Sequence, residues 1–172
     1  MKKRTWILVA WLALGASVGL NASFARAEEG QNAAEDWKGA PPTLKGDFGA
    51  LVGLGWAGND GRFAILGSAA WKVLDDGFIQ DINDQVYIET ELGVGFGSAS
   101  TRFIYSVHGR WDFVKNAEWT PFAIGGLSGG VDGSFNLSPR FGIGAFWNVS
   151  PQWTLRGEVS HDLMVAGVSF AL

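Results

Sequence analysis

The sequence predicts an all-β chain, an eight-stranded antiparallel up-and-down transmembrane β-barrel. Three observations predict it. From Gly46 onward apolar residues recur with period two and almost no helical pattern. The face opposite the apolar one is charged in strand after strand. The Trp residues, moreover, fall at strand ends.

The chain begins with Lys2, Lys3 and Arg4. The apolar run WILVAWLALGASVGL (6–20) and the small-residue triplet Ala25-Arg26-Ala27 follow. A basic start, an apolar run too short to span a bilayer and a small-residue cleavage signal predict a secretory signal peptide over 1–27. The absence of Cys excludes a lipidated-Cys anchor and disulfides. Removing 27 of the 172 residues leaves 145, a length suited to one domain. Four of the 13 basic residues precede the cut and all 17 acidic ones follow it, so the remainder carries a net charge of −8. With no basic stripe to neutralise phosphates, a nucleic-acid partner is not expected. Residues 28–45, acidic and ending around Pro41-Pro42, read as a periplasmic leader, and 46–172 as the barrel.

Eight strands are expected in order. The first covers 47–57, and Gly58-Asn59-Asp60-Gly61 is a hairpin signal leading to the second, 62–73. A polar segment, 74–84, precedes the third strand at 85–97, and a Ser-Ala-Ser turn leads to the fourth at 101–114. The turn 115–118 introduces the fifth, 119–128, and a Gly-rich loop, 129–138, the sixth, 139–149. Ser150-Pro151-Gln152 turns the chain into the seventh, 153–161, and the eighth runs over 164–172 to the last residue, as closure of a barrel needs.

The two faces then separate. Phe63, Ile65, Trp71, Phe103, Val107, Phe141, Ile143, Leu155, Val159 and Phe170 share the apolar face. Lys72, Glu89, Glu91, Arg102, His108, Arg110, Asp112, Arg140, Arg156 and Glu158 share the other. A soluble sandwich would bury the first face and wet the second, whereas a membrane barrel reverses the two. The Trp residues favour the barrel. Trp71, Trp111, Trp119, Trp147 and Trp153 all come to the rim shared with both termini, with Trp56 at the other, as an aromatic girdle requires. Eight strands leave an interior that side chains fill, so the nearly balanced charges of the second set are expected to pair inside it. Glu89 and Glu91, in VYIETELGVGF, are then interior residues.

The motifs WTPFAIGGLSGG (119–130) and FGIGAFWNVSPQWTLRGEVSHDLMVAGVSFAL (141–172) carry a resemblance. Over about 46–172 the chain resembles the small outer-membrane β-barrels of the OmpA and OmpX kind. The resemblance implies an outer-membrane location, with membrane lipid and lipopolysaccharide as surroundings and insertion by the barrel-assembly machinery through the C-terminal strand. The chain departs from the family in ending on Leu172 instead of an aromatic residue, with Phe170 two positions earlier on the same face. It also has a long connection, 74–84, on the side where the family has short turns.

No cofactor, metal or catalytic site is expected. Some barrels that this one resembles remove or transfer acyl chains on lipopolysaccharide, using a Ser, a His and an acid at a rim. In Ser160-His161-Asp162, strand geometry turns Ser160 and Asp162 away from His161, so the three do not make a triad with one another. His108 among arginines reads as an interior histidine, and two His without Cys supply no zinc set. The Gly repeats lack a phosphate-loop ending, and Asp75–Asp84 lacks calcium-loop spacing. The expected role is structural or surface-interacting, chiefly through 129–138. The alternatives are a lipid A-modifying barrel enzyme and a small channel or binder of an apolar ligand. A monomer is expected, since closure leaves no free sheet edge.

Overall fold

The computed structural model describes residues 45–57, 60–98, 100–114, 118–150 and 152–172. The signal peptide and the leader expected over 1–45 lie outside these except for Lys45, as do the turn tips at 58–59, 99, 115–117 and 151.

Eight strands follow one another: β1 (Gly46–Ala57), β2 (Asp60–Leu74), β3 (Asp84–Phe96), β4 (Thr101–Phe113), β5 (Trp119–Val131), β6 (Phe135–Asn148), β7 (Trp153–Ser160) and β8 (Leu163–Ala171). Each pairs antiparallel with its neighbours in sequence, and β1 closes on β8 to make a barrel. The closing seam runs from Asp47 opposite Ala171 to Gly55 opposite Leu163, and the amide of Leu172 donates to the carbonyl of Gly46 at 2.9 Å. The start of β1 and the end of β8 therefore reach one rim, the terminal rim, which also holds the β2–β3, β4–β5 and β6–β7 connections. The far rim holds the other four.

Alternation decides which side chains point where. On β4, Arg102, Ser106, His108, Arg110 and Asp112 are buried, while Phe103 and Val107 are exposed. Phe141 and Ile143 on β6 are among the most exposed side chains, at 66 and 69 %. The interior is not wholly polar. Leu51, Ala64, Leu66, Leu163 and Val165 form one apolar cluster inside, and Phe122, Ile124 and Phe146 another.

The Gly-rich stretch 129–138 is not a loop. β5 continues to Val131 and β6 starts at Phe135, so only 132–134 turn. Side-chain bonds explain the extension. The Asn136 carboxamide oxygen accepts from the Gly130 amide at 3.0 Å, and the Tyr105 hydroxyl donates to the Asn136 carbonyl at 2.6 Å. Gly130 is required there, because a Cβ would sit 2.1 Å from the Arg102 Nε. Because β6 last meets β7 at Gly142 opposite Ser160, its residues 135–141 have no β7 partner. Pro139 lies in that open edge, where it removes a donor and blunts strand addition.

The 74–84 connection is held by Asp84. Its carboxylate accepts from the Phe78 amide and from the Trp111 indole N–H, each at 2.7 Å. β3 accordingly begins at Asp84, one residue before the expected boundary.

One close approach gives a prediction. A Cβ on Gly144 would stand 2.2 Å from the Phe122 ring and 2.5 Å from the Gly157 carbonyl oxygen. Gly144→Ala is expected to destabilise the barrel by about 1–3 kcal/mol through overpacking. The midpoint of urea unfolding in lipid vesicles measures this, and an unchanged midpoint would contradict the interior packing of Phe122.

Candidate functional site

Three arginines and five carboxylates interlock across the interior. Arg156 on β7 donates through Nη1 to Glu89 and through Nη2 to Glu158, and its Nη2 is also 3.4 Å from Glu91 Oε1. Arg140 on β6 donates to Glu91 Oε2 and to Glu158 Oε1, each at 2.5 Å. Arg110 on β4 reaches Glu89 Oε2 at 2.9 Å, Asp112 Oδ1 at 2.9 Å and Asp47 Oδ2 at 2.6 Å. Glu89, Glu91, Glu158 and the three arginines are all at most 2 % exposed. Buried charges of this kind persist only when paired, and here each carboxylate meets at least one guanidinium. The arginines also stack on rings. The Arg110 guanidinium lies 4.6 Å from the Tyr87 ring centre and 4.7 Å from that of Phe146, and Arg156 lies 5.0 Å from that of Phe122.

This cluster divides the interior. A cavity of about 490 Å³ opens toward the terminal rim, lined by Asp47, Gln85, Tyr87, Arg110 and Asp112 among others. A second, of about 290 Å³, opens toward the far rim and is lined by Arg62, Arg102, Arg140 and Asp162 among others. Glu89, Glu91, Arg156 and Glu158 line neither and stand between them.

No protein-family model matches the chain, and no curated protein matches it in sequence. Among solved structures, a barrel described under de novo design of transmembrane β-barrels has 17 % identity and a TM-score of 0.55. That comparison covers 77 % of this chain and 99 % of the other. The de novo designed barrel TMB2.3 is similar at 20 % identity and a TM-score of 0.51, covering 76 and 97 %. The outer membrane protein Ail of Yersinia pestis, in a phospholipid nanodisc, aligns at 12 % identity and a TM-score of 0.47, covering 74 and 99 %. The chain has the fold of the small eight-stranded transmembrane β-barrels.

Lys72 turns inward near the terminal rim, with its Nζ 3.2 Å from Asp75. Arg102 lies apart from the central cluster. Its Nη2 donates to the Gly130 carbonyl at 3.3 Å, and its Nε is 4.0 Å from Asp132. His108 is buried, with Nδ1 3.3 Å from the Ser106 hydroxyl and Nε2 3.7 Å from Glu89. That row of Ser106, His108 and Glu89 looks like a triad, but the Ser106 hydroxyl also lies 3.1 Å from Glu91 as a donor, and none of the three lines either of the two cavities. Glu89, Glu91 and His108 could offer a cation three ligand atoms within 4.8 Å of one another. The two carboxylates already accept from Arg110, Arg140 and Arg156, so a cation there would face three guanidiniums.

By register, Trp71, Trp111, Trp119, Trp147 and Trp153 stand at the terminal rim, and Trp119 stacks on Trp147 with ring centres 5.8 Å apart. Trp56 stands at the far rim, where its indole N–H donates to the His161 carbonyl at 2.5 Å.

Ser160 and Asp162 do meet, because the chain turns between β7 and β8. The Ser160 hydroxyl donates to Asp162 Oδ1 at 2.8 Å and the Ser128 hydroxyl to Oδ2 at 2.6 Å. His161 is exposed, with Nδ1 3.8 Å from Asp162, and no hydroxyl among the described residues hydrogen-bonds its ring. Burial pushes the Asp162 carboxyl up, but the bonds from Ser128 and Ser160 and the nearby Arg140 outweigh it. The group is held below its ordinary value. A depressed folded value stabilises the native state above the unfolded value near pH 4, and that contribution is lost as pH falls through the lower, folded one. Asp162→Asn is therefore expected to lower stability at neutral pH and to have no effect once both forms are uncharged. Matching unfolding midpoints at neutral pH would contradict this.

Asp47, Arg62 and Asp162 were not legible as interior residues from charge counting, although strand parity contains the first two. Asp47 shares the parity of Leu51 on β1, and Arg62 that of Leu66 and Lys72 on β2. Nothing in the sequence signals that Asp162 folds back onto Ser128, 34 residues away.

Proposed function

We propose that this chain is exported by residues 1–27 and resides in the outer membrane as a barrel with a structural or surface-interacting role. The observation that carries the reading is the inverted distribution of side chains. Phe63, Ile65, Val107, Ile143 and Val159 point outward, while Arg110, Arg140, Arg156, Glu89, Glu91 and Glu158 fill the interior. Such a protein is at rest only with hydrocarbon around it. The Trp residues of the terminal rim supply the interfacial anchors on the periplasmic side, and the C-terminal strand is the natural handle for the insertion machinery.

The far-rim turns are short, so the surface offered outward is chiefly the β5–β6 hairpin, with Phe135 70 % and Leu137 52 % exposed. The exposed Phe135 and Leu137 side chains beside its polar Asp132-Gly133-Ser134 turn suit contact with lipopolysaccharide or a surface partner better than with water. The central ion pairs favour a barrel that does not conduct. Purified protein in planar bilayers of molar salt is expected to give no steady single-channel current. Stable stepwise openings would favour the channel reading.

A further inference from the structure

We propose that the far-rim cavity is a binding site for a phosphate monoester, clamped by Arg62 and Arg102. The interior arginines fall into two groups. Arg110, Arg140 and Arg156 each meet two or more carboxylates at hydrogen-bonding distance. Arg62 and Arg102 do not. Arg62, 9 % exposed, is bonded only to the Ser100 carbonyl and hydroxyl, at 3.2 and 3.4 Å, among the described residues. Arg102, 8 % exposed, donates to the Gly130 carbonyl, and its nearest carboxylate oxygen among the described residues, on Asp132, is 4.0 Å away. The Nε atoms of Arg62, Arg102 and Arg140 are buried without a hydrogen-bond partner among the described residues.

Both arginines line the same cavity of about 290 Å³. Arg62 on β2 and Arg102 on β4 flank β3, whose residue paired with Arg102 is Gly95. Gly95 itself presents no side chain there, and the Ile104 side chain lies over it in the cavity lining. A Cβ on Gly97 would come within 3.1 Å of Arg62, and one on Gly130 within 2.1 Å of Arg102, so glycines also leave room for both arms. A buried guanidinium without a close counter-ion is costly, and an anionic ligand removes that cost. Two planar forks match the several oxygens of a tetrahedral phosphate better than a lone carboxylate. The volume is near the lower limit of small-molecule sites, about 300 Å³, which suits a phosphorylated sugar unit. Asn136 and Ser138 supply further polar groups, while the Ser128 hydroxyl donates to Asp162. Asp162 also lines the cavity and opposes an anion, although its oxygens are engaged by Ser128 and Ser160.

The test uses the refolded barrel in a maltoside detergent, followed by amide NMR while inorganic phosphate or glucose 1-phosphate is added, with glucose as control. Saturable shifts at the Ser100, Ser128 and Gly130 amides are expected with the phosphates and not with glucose. The Arg62→Gln, Arg102→Gln double variant should weaken binding by about tenfold or more, the loss of charge-assisted hydrogen bonds. Asp162→Asn should tighten it. Unboiled gel mobility checks that each variant remains closed, and if the double variant does not, Arg62→Lys, which keeps charge and loses the fork, carries the same comparison. A repeat in nanodiscs with and without lipid A separates the sources. Shifts caused by lipid A assign a lipid-borne phosphate, and shifts caused only by the soluble probes assign a free one. No saturable shift with any phosphate, or equal binding by the Gln or Lys variants, would overturn the proposal. Because the NMR experiment needs only the closed barrel, its failure leaves the membrane reading standing.

Discussion

Replacing Glu89 by alanine is expected to lower the unfolding free energy by roughly 3 kcal/mol, the lower end of the 3–5 kcal/mol typical of a broken buried ion pair. Glu89 is fully buried and accepts from Arg156 and from Arg110, the latter at 2.9 Å. Removing it leaves two guanidiniums short of one partner each, at a fully buried position. The lower end applies because neither is stranded. Arg110 keeps Asp47 and Asp112, and Arg156 keeps Glu158. Glu91→Ala should behave likewise, since it holds Arg140 at 2.5 Å and takes the Ser106 hydroxyl at 3.1 Å. Urea unfolding in lipid vesicles, followed by Trp fluorescence, measures both. If neither substitution moved the transition, Glu89 and Glu91 would be wet surface residues and the faces would be reversed.

Val107→Arg provides the complementary result from the outside. Val107 sits at the middle of β4, points away from Arg110 and His108, and is 55 % exposed. On a water-facing sheet an exposed Val→Arg change is nearly neutral, within about 0.5 kcal/mol. Against hydrocarbon at the bilayer midplane it costs about 2–4 kcal/mol. The same substitution at Val73, near the end of β2 at the terminal rim and likewise exposed, should cost no more than about 1 kcal/mol, because the penalty falls toward the interface. A loss at Val107 several times that at Val73, measured in vesicles, is the expected profile. Equal, small effects at both positions would place that face in water.

Much of this architecture was legible in the sequence, for a definite reason. Period-two alternation is rigid, so once one residue of a strand is assigned inward its whole parity class follows, and a register slip would expose the charges. Arg102, His108, Arg110 and Asp112 on β4 all followed from that rule. The stretch 129–138 resisted it because Gly, Ser and Asn carry no hydropathy contrast. The strand persists there through Asn136 and through room left for Arg102 and Tyr105, contacts made between strands. The interior pair Phe122 and Phe146 was hidden for a related reason. An aromatic residue at an inward position looks like a parity error unless an arginine lies over it, as Arg110 lies over Phe146. The Asp162 site was hidden because a strand reading of 153–161 stops short of Asp162 and carries no sign of its bond from Ser128, 34 residues away.

The proposed state of the protein is a closed barrel embedded in the outer membrane with its apolar face outward. A gel of isolated outer membranes, with the sample boiled or left unboiled in detergent, tests that most directly. Closed membrane barrels keep their hydrogen-bonded wall in detergent until heated. The expected result is a faster band in the unboiled lane that moves to the full-length position on boiling. Identical mobility in both lanes, with the protein recovered from the soluble periplasm, would contradict the account and make Phe63, Val107 and Ile143 the core of a secreted soluble protein.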